Sequence, residues 1–197
     1  MTPVLQLFFL SGFSALVYQV VWQRALFAIY GIHVEAVTMI VTVFMVGLGL
    51  GGLLGGKLSR AARTPPLLLF ALAEAGIGAF GLASLPIFRV VGHATLRLSA
   101  ITTAGVTFAL LLVPTLLMGA TLPLLAAHFV RAWSNVGRSV ASLYTVNTLG
   151  SAAAAVAAAF ALLGFLGQRG TVWIAVAGNL LVAGQAFAMW HRARTTR

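Results

Sequence analysis

The 197 residues hold only two acidic side chains, Glu35 and Glu74, and neither aspartate nor cysteine. Glu74 lies in LLLFALAEAGIGAFGLASLPIFRVV, a stretch apolar enough to cross a bilayer. An ionisable group there costs about 2.5 kcal/mol or more, so by default it marks a functional site with a partner to be found. Depth, counted at about 1.5 Å per residue from the inner end of each apolar stretch, supplies the candidates. Ser11, Glu74 and Asn147 all fall roughly 10 Å deep, with Ser14 and Tyr144 within one turn of that layer and residues 118–121 reaching it from another stretch. With Gln19 further along the first stretch, the candidate ligand-binding set is Glu74, Tyr144, Asn147, Ser11, Ser14 and Gln19. A carboxylate, hydroxyls and an amide on one level suit a water-accessible cation or proton. They equally suit interhelical hydrogen bonds around a glutamic acid.

Other chemistry finds little footing. The four histidines, His33, His93, His128 and His191, are scattered and lack the spacing of a metal site, and serine, histidine and acid are nowhere gathered as a triad would need. No catalytic residue, metal or cofactor is expected. The glycine run GLGLGGLLGG closes an apolar stretch, with no preceding strand and no acid some 20 residues on, so it is not a dinucleotide loop.

The elements that must position Glu74 follow from composition. The chain is 61% hydrophobic and 7% charged with a mean hydropathy of +1.05, which makes it an integral membrane protein. A span needs about 20 residues. The reading is an all-α bundle of six transmembrane helices in a single domain, with spans over residues 4–25, 36–54, 67–91, 100–126, 140–165 and 171–190. The first starts without Lys or Arg and is kept as a mature helix rather than a leader. Pro114 and Pro123 should kink the fourth. With the N-terminus inside, Lys57, Arg60, Arg63, Arg131, Arg138, Arg192, Arg194 and Arg197 face the cytoplasm against Arg24, Arg89, Arg97 and Arg169 outside. That bias places both termini in the cytoplasm. The net charge of +10 therefore serves topology and anionic lipid, and no nucleic-acid partner is expected.

Trp22, Tyr30, Trp133, Trp173 and Trp190 fall near span ends, as an interfacial aromatic belt would place them. Gly47, Gly51 and Gly55 repeat every fourth residue, a stripe that lets helices approach closely, and residues 152–161 offer a similar alanine surface in the fifth span. Equivalent small surfaces on the second and fifth spans are what a three-plus-three inverted repeat would produce. Near the outer end, Gln19, Gln23 and Arg24 should meet His33 and Glu35, with Arg24 paired to Glu35.

The segments FFLSGFSALVYQVVWQRALFAIYG, FMVGLGLGG, ALAEAGIG, LLVPTLLMGATLPLL and SLYTVNTLGSAAAA, in this order over nearly the whole chain, resemble the membrane portion of the fused major-facilitator/spermidine synthase family. The resemblance implies one half of a major-facilitator bundle. It also implies a polyamine as solute and a neighbouring soluble aminopropyltransferase domain. That domain's acidic motifs are not in this sequence, and the loop GGKLSRAART lacks the usual aspartate of the basic major-facilitator loop. The expected function is thus a transporter-like or small-solute-binding module of a bacterial inner membrane, acting with a second copy or another membrane protein. The alternatives are an anchor subunit of a larger complex, with the glycine and alanine stripes as docking faces, or the membrane partner of a separate synthase.

Overall fold

The computed structural model describes residues 2–31, 34–61, 64–95, 97–133 and 135–195, with backbone alone at 2, 34–36, 61, 100 and 131–133. The apolar runs become α1 (Thr2–Tyr30), α2 (Val34–Ala61), α3 (Pro66–Thr95), α4 (Ala100–Trp133), α5 (Val136–Ala157) and α6 (Leu163–Thr195), the last two joined by a π-helical segment (Ala158–Leu162). Pro66 opens α3, where its missing N–H costs nothing. The Asn135 side chain caps α5 by accepting from the Arg138 amide at 2.9 Å.

Six separate helices were expected, and five continuous runs are present that are long and apolar enough to cross a membrane, the last spanning Val136–Thr195. The loop predicted between residues 165 and 171 is absent. Instead Gly167 alone leaves the helical region, with φ 63° and ψ −175°. A straight helix would hold Gly150 and Gly178 about 42 Å apart. Both nevertheless abut one short stretch of α1, Gly150 at the Phe9 carbonyl and Gly178 at the Ser14 hydroxyl. The run therefore folds back on itself, and a glycine is what a positive φ at the reversal requires.

Packing is dominated by α2 on α4, α5 on α1 and α3 on α6, with α3 also on α4 and α6 on α1. Exchanging helices 1 with 4, 2 with 5 and 3 with 6 maps this set onto itself. The closest approaches obey the same exchange. A Cβ on Gly51 would strike the Leu116 carbonyl, and one on Gly119 the Leu48 carbonyl. In the other pair a Cβ on Gly150 would strike the Phe9 carbonyl, and one on Gly12 the Asn147 carbonyl. The glycine stripe of α2 is thus spent inside the bundle, Gly47 against Thr115 and Gly55 against Ala120. Of the alanine surface, Ala154 and Ala158 are buried while Ala152, Ala153, Ala155 and Ala159 stay exposed.

Two apolar clusters form the core. One gathers Phe8, Phe70, Leu125, Phe129 and Val182, the other Val17, Tyr18, Trp22, Phe44, Phe88 and Val176. Trp22, expected in an interfacial belt, is fully buried in the second cluster. Its indole N–H donates to Ser84 Oγ at 3.0 Å, and its ring stacks on Tyr18. Trp173 is 52% exposed and Trp190 half-buried beneath Arg194, both at positions an interface belt would use, while the Trp133 side chain lies outside the described residues.

Candidate functional site

A thin polar layer separates the two clusters. On α1 it is Ser11 and Ser14, between Phe8 and Val17; on α3 it is Glu74, between Phe70 and Ile77; on α6 it is Asn179, between Val176 and Val182. The helical repeat explains the placement on α1, since positions 11, 14, 18 and 22 follow one face. That face lies along α3. The pairings Ser11 with Glu74, Trp22 with Ser84 and Tyr30 with Thr95 advance together, so the two helices run parallel over their length.

Glu74 is fully buried. Ser11 Oγ donates to its Oε1 at 2.5 Å, and Asn179 Nδ2 donates to its Oε2 at 2.6 Å. Both carboxyl oxygens are therefore occupied, by neutral donors from two different helices. No Lys, Arg or His forms an ion pair with it among the described residues. Three buried side-chain atoms in the described structure have no hydrogen-bond partner: Asn179 Oδ1, Ser14 Oγ and Tyr18 Oη. They belong to the same neighbourhood. Asn179 Oδ1 is the second atom of the amide that holds Glu74, Ser14 Oγ faces Gly178 beside it, and Tyr18 lies within electrostatic reach of the carboxyl. Unpaired buried polar atoms are rare and ask for a water, an ion or a role.

A cavity of about 970 Å³ opens beside this layer, between the α1·α5 and α2·α4 pairs. Ser11 and Asn179 form part of its wall, with Asn147, Tyr144, Met118 and Thr121, and Arg60 and Ser59 lie toward the end of α2. Glu74 does not line it; its two donors stand between the carboxyl and the cavity. A smaller cavity of about 180 Å³ lies between α3 and α6 in the other half of the bundle, bounded by Gly81, Arg89, Arg169 and Trp173.

The predicted site residues divide accordingly. Ser11 and Glu74 are bonded, and Ser14 lies one turn along the same face. Asn147 and Tyr144 reach the large cavity but not Glu74. Asn147 Nδ2 donates to the Phe8 carbonyl at 3.3 Å, and Tyr144 is 63% exposed. Gln19 is half-buried and lines none of the described cavities. Glu74 was expected to face the first and fifth spans; it faces α1 and α6. The residue missed is Asn179. Its signal was present, a lone amide in the middle of the apolar run TVWIAVAGNLLVAGQAFAMW, which is as unusual there as a charge is costly. At the far end, Gln23 and Arg24 share a shallow cavity with Gln168 of α6. The predicted partners His33 and Glu35 lie outside the described side chains, as do Arg63 and Arg197.

What the arrangement can do is bounded by its groups. Among the described residues it has no cluster of His, Asp and Glu that could hold a metal ion. It has one carboxyl, two hydroxyls, a phenol and an amide around a layer beside a large, mainly apolar cavity. Comparison with protein-family models, with curated proteins and with solved structures finds no match to this chain.

Proposed function

We propose that this chain is a transporter-like, small-solute-binding membrane module whose binding locus is the cavity floored by Ser11 and Asn179, with Glu74 behind them. The observation that carries the reading is the burial of a carboxyl held by exactly those two cavity-wall residues, with an acceptor of Asn179 left unpaired. Carboxyls are kept at such depth for ions, protons or solutes.

The exchangeable pairing of helices 1–3 with 4–6, and the fold-back at Gly167 that yields a sixth limb, support a six-span unit like half of a major facilitator. Such a unit encloses a pathway only with a second half, so a second copy or another membrane protein completes it. The excess of basic residues at the ends of α2, α4 and α6 supports cytoplasmic termini in a bacterial inner membrane. A polyamine is the solute the sequence resemblance suggests. Arg60 at the edge of the cavity opposes a polycation there, so spermidine is the probe that discriminates. Equilibrium binding of labelled spermidine to the protein in nanodiscs, with Glu74→Gln as comparison, tests the reading. Saturable binding lost in Glu74→Gln upholds the cationic form. Binding of neutral or anionic solutes alone keeps the module and discards the polyamine.

The anchor-subunit reading, including a membrane partner for a separate aminopropyltransferase, is the second possibility. Its main physical support was the α2 glycine stripe as a docking face. That stripe faces α4 within the same chain, and what remains free is the exposed alanine surface of α5.

A further inference from the structure

Buried hydroxyls in this bundle usually satisfy themselves at the carbonyl three or four residues back, as Ser84, Thr107, Thr115, Thr121 and Thr171 all do. Ser14 sits in an unbroken helix where the same bond is open to it, yet its hydroxyl makes none. Tyr18, one turn on, is likewise buried with an unpaired hydroxyl, and that hydroxyl lies against Gly81. Gly81 is also a wall of the small cavity that holds Arg89 and Arg169. On the α1 face that carries Ser11, then, stand two buried unpaired hydroxyls, and the second is parted from the small cavity by Gly81. Toward the large cavity Ser11 and Asn179 close the way.

We propose that Glu74 is a proton-exchange group served from the small cavity through the Ser14 and Tyr18 hydroxyls, on a route separate from the solute cavity. This rests on the site proposed above and names its ion. A metal cation or polyamine approaching by this route would meet two arginines, whereas a proton is handed on without any ion passing. The Glu74 carboxyl O–H breaks as its proton moves to a bridging water, which gives a proton to the Ser14 oxygen while Ser14 releases its own through water toward Tyr18. Tyr18 accepts on its lone pair and gives its proton to water admitted past Gly81 from the small cavity. Each hydroxyl ends as it began, and the net change is one proton lost from Glu74 and gained by water. Ser11 from α1 and Asn179 from α6 bond Glu74, Tyr18 from α1 lies within electrostatic reach of it, and Ser14 stands between Ser11 and Tyr18 on the same helical face. Tyr18 is the one titratable group that reaches it among the described residues.

The scarcity of acids supplies the test, because Glu35→Gln leaves Glu74 as the one carboxyl side chain in the chain. In that background the infrared C=O band of protonated Glu74, identified by its loss in Glu74→Gln, is followed as H₂O is replaced by D₂O. The band is expected to shift, and Tyr18→Phe is expected to slow the shift by roughly 100-fold, the lower end of what a positioned proton donor contributes. Ser14→Ala should slow it as well. The Tyr18 hydroxyl has no partner to lose, so thermal unfolding of Tyr18→Phe should match the parent. Exchange at the parent rate in both variants, or no protonated band at any pH at which the protein stays folded, overturns the proposal. Failure of solute binding with exchange still dependent on Tyr18 would sink the function proposed above and leave the proton route standing.

Discussion

The α2·α4 and α1·α5 pairs are built on the same contact, a glycine in each helix pressed on a carbonyl of the other with the same three-residue spacing, and they differ in what surrounds it. Around Gly51 and Gly119 the neighbours are Leu48 and Leu116, and the polar Thr115 turns its hydroxyl back to its own helix at Leu111. Around Gly12 and Gly150 the fifth helix reaches across, Asn147 donating to the Phe8 carbonyl at 3.3 Å and Ser151 to the Gly12 carbonyl at 3.1 Å. In lipid, close backbone approach supplies dispersion and needs no polar help. The α2·α4 pair demonstrates that sufficiency. The amide and hydroxyl on the other pair are therefore surplus to packing, and they fall on the side that carries Ser11 and, through it, Glu74.

That contrast breaks most severely at the shared glycines. Gly119→Val and Gly150→Val should each destabilise by roughly 3 kcal/mol or more, because the added carbons meet backbone that cannot rotate away. Gly49→Val, which meets nothing within 4 Å, should stay within about 0.5 kcal/mol. Thermal unfolding in one detergent compares the three, and equal losses would show that the approach is not what holds the pairs. Next in size is the polar layer. Glu74→Ala strands the Ser11 and Asn179 donors and should cost roughly 1 to 3 kcal/mol, while Glu74→Gln keeps shape and most hydrogen bonding and should cost under about 1 kcal/mol. A Glu74→Gln as damaging as Glu74→Ala would mean that the carboxyl itself, and not its geometry, stabilises the fold.

The layer was partly legible in the sequence. Counting residues from the span ends put Ser11 and Glu74 at one depth because both lie on helices that rise in parallel from the same face, where equal counts mean equal heights. Asn179 escaped because its depth, counted from the predicted end at Trp190, comes to roughly 16 Å, more than a turn beyond the layer. Helix azimuth was beyond counting altogether. Depth alone could not tell that Tyr144 stays exposed at the large cavity while Asn147 bonds the Phe8 carbonyl of α1, since both follow from how α5 rolls on the glycine contact. The aromatic expectation failed at Trp22 for a related reason: closeness to a span end says nothing about which face a ring takes, and α1 runs on to Tyr30.

The smallest expected effects sharpen the comparison. Asn147→Leu should cost about 0.6 kcal/mol, typical of a polar contact between membrane helices, and should weaken solute binding more than stability if the amide serves the cavity. Ser151→Ala should cost less still. A double-mutant cycle between Asn147→Leu and Ser151→Ala is expected to be additive within about 0.5 kcal/mol, as their acceptors are different carbonyls. A larger coupling would reveal that the two act as one clamp.

The reversal at Gly167 also sets a phase. Every residue beyond it turns the helix by about 100°, so the direction in which Asn179 points is decided by how many residues follow the hinge. Lengthening the stretch between Gly167 and Asn179 by one residue would barely alter composition or hydropathy and would add only about 1.5 Å to the span, yet swing the amide off Glu74 and carry a neighbour into its place. Four residues would nearly restore the angle while displacing it by about 6 Å along the axis. The carboxyl's second donor is thus encoded as a distance along the chain, and evolution can exchange most side chains on this limb more freely than it can alter their number.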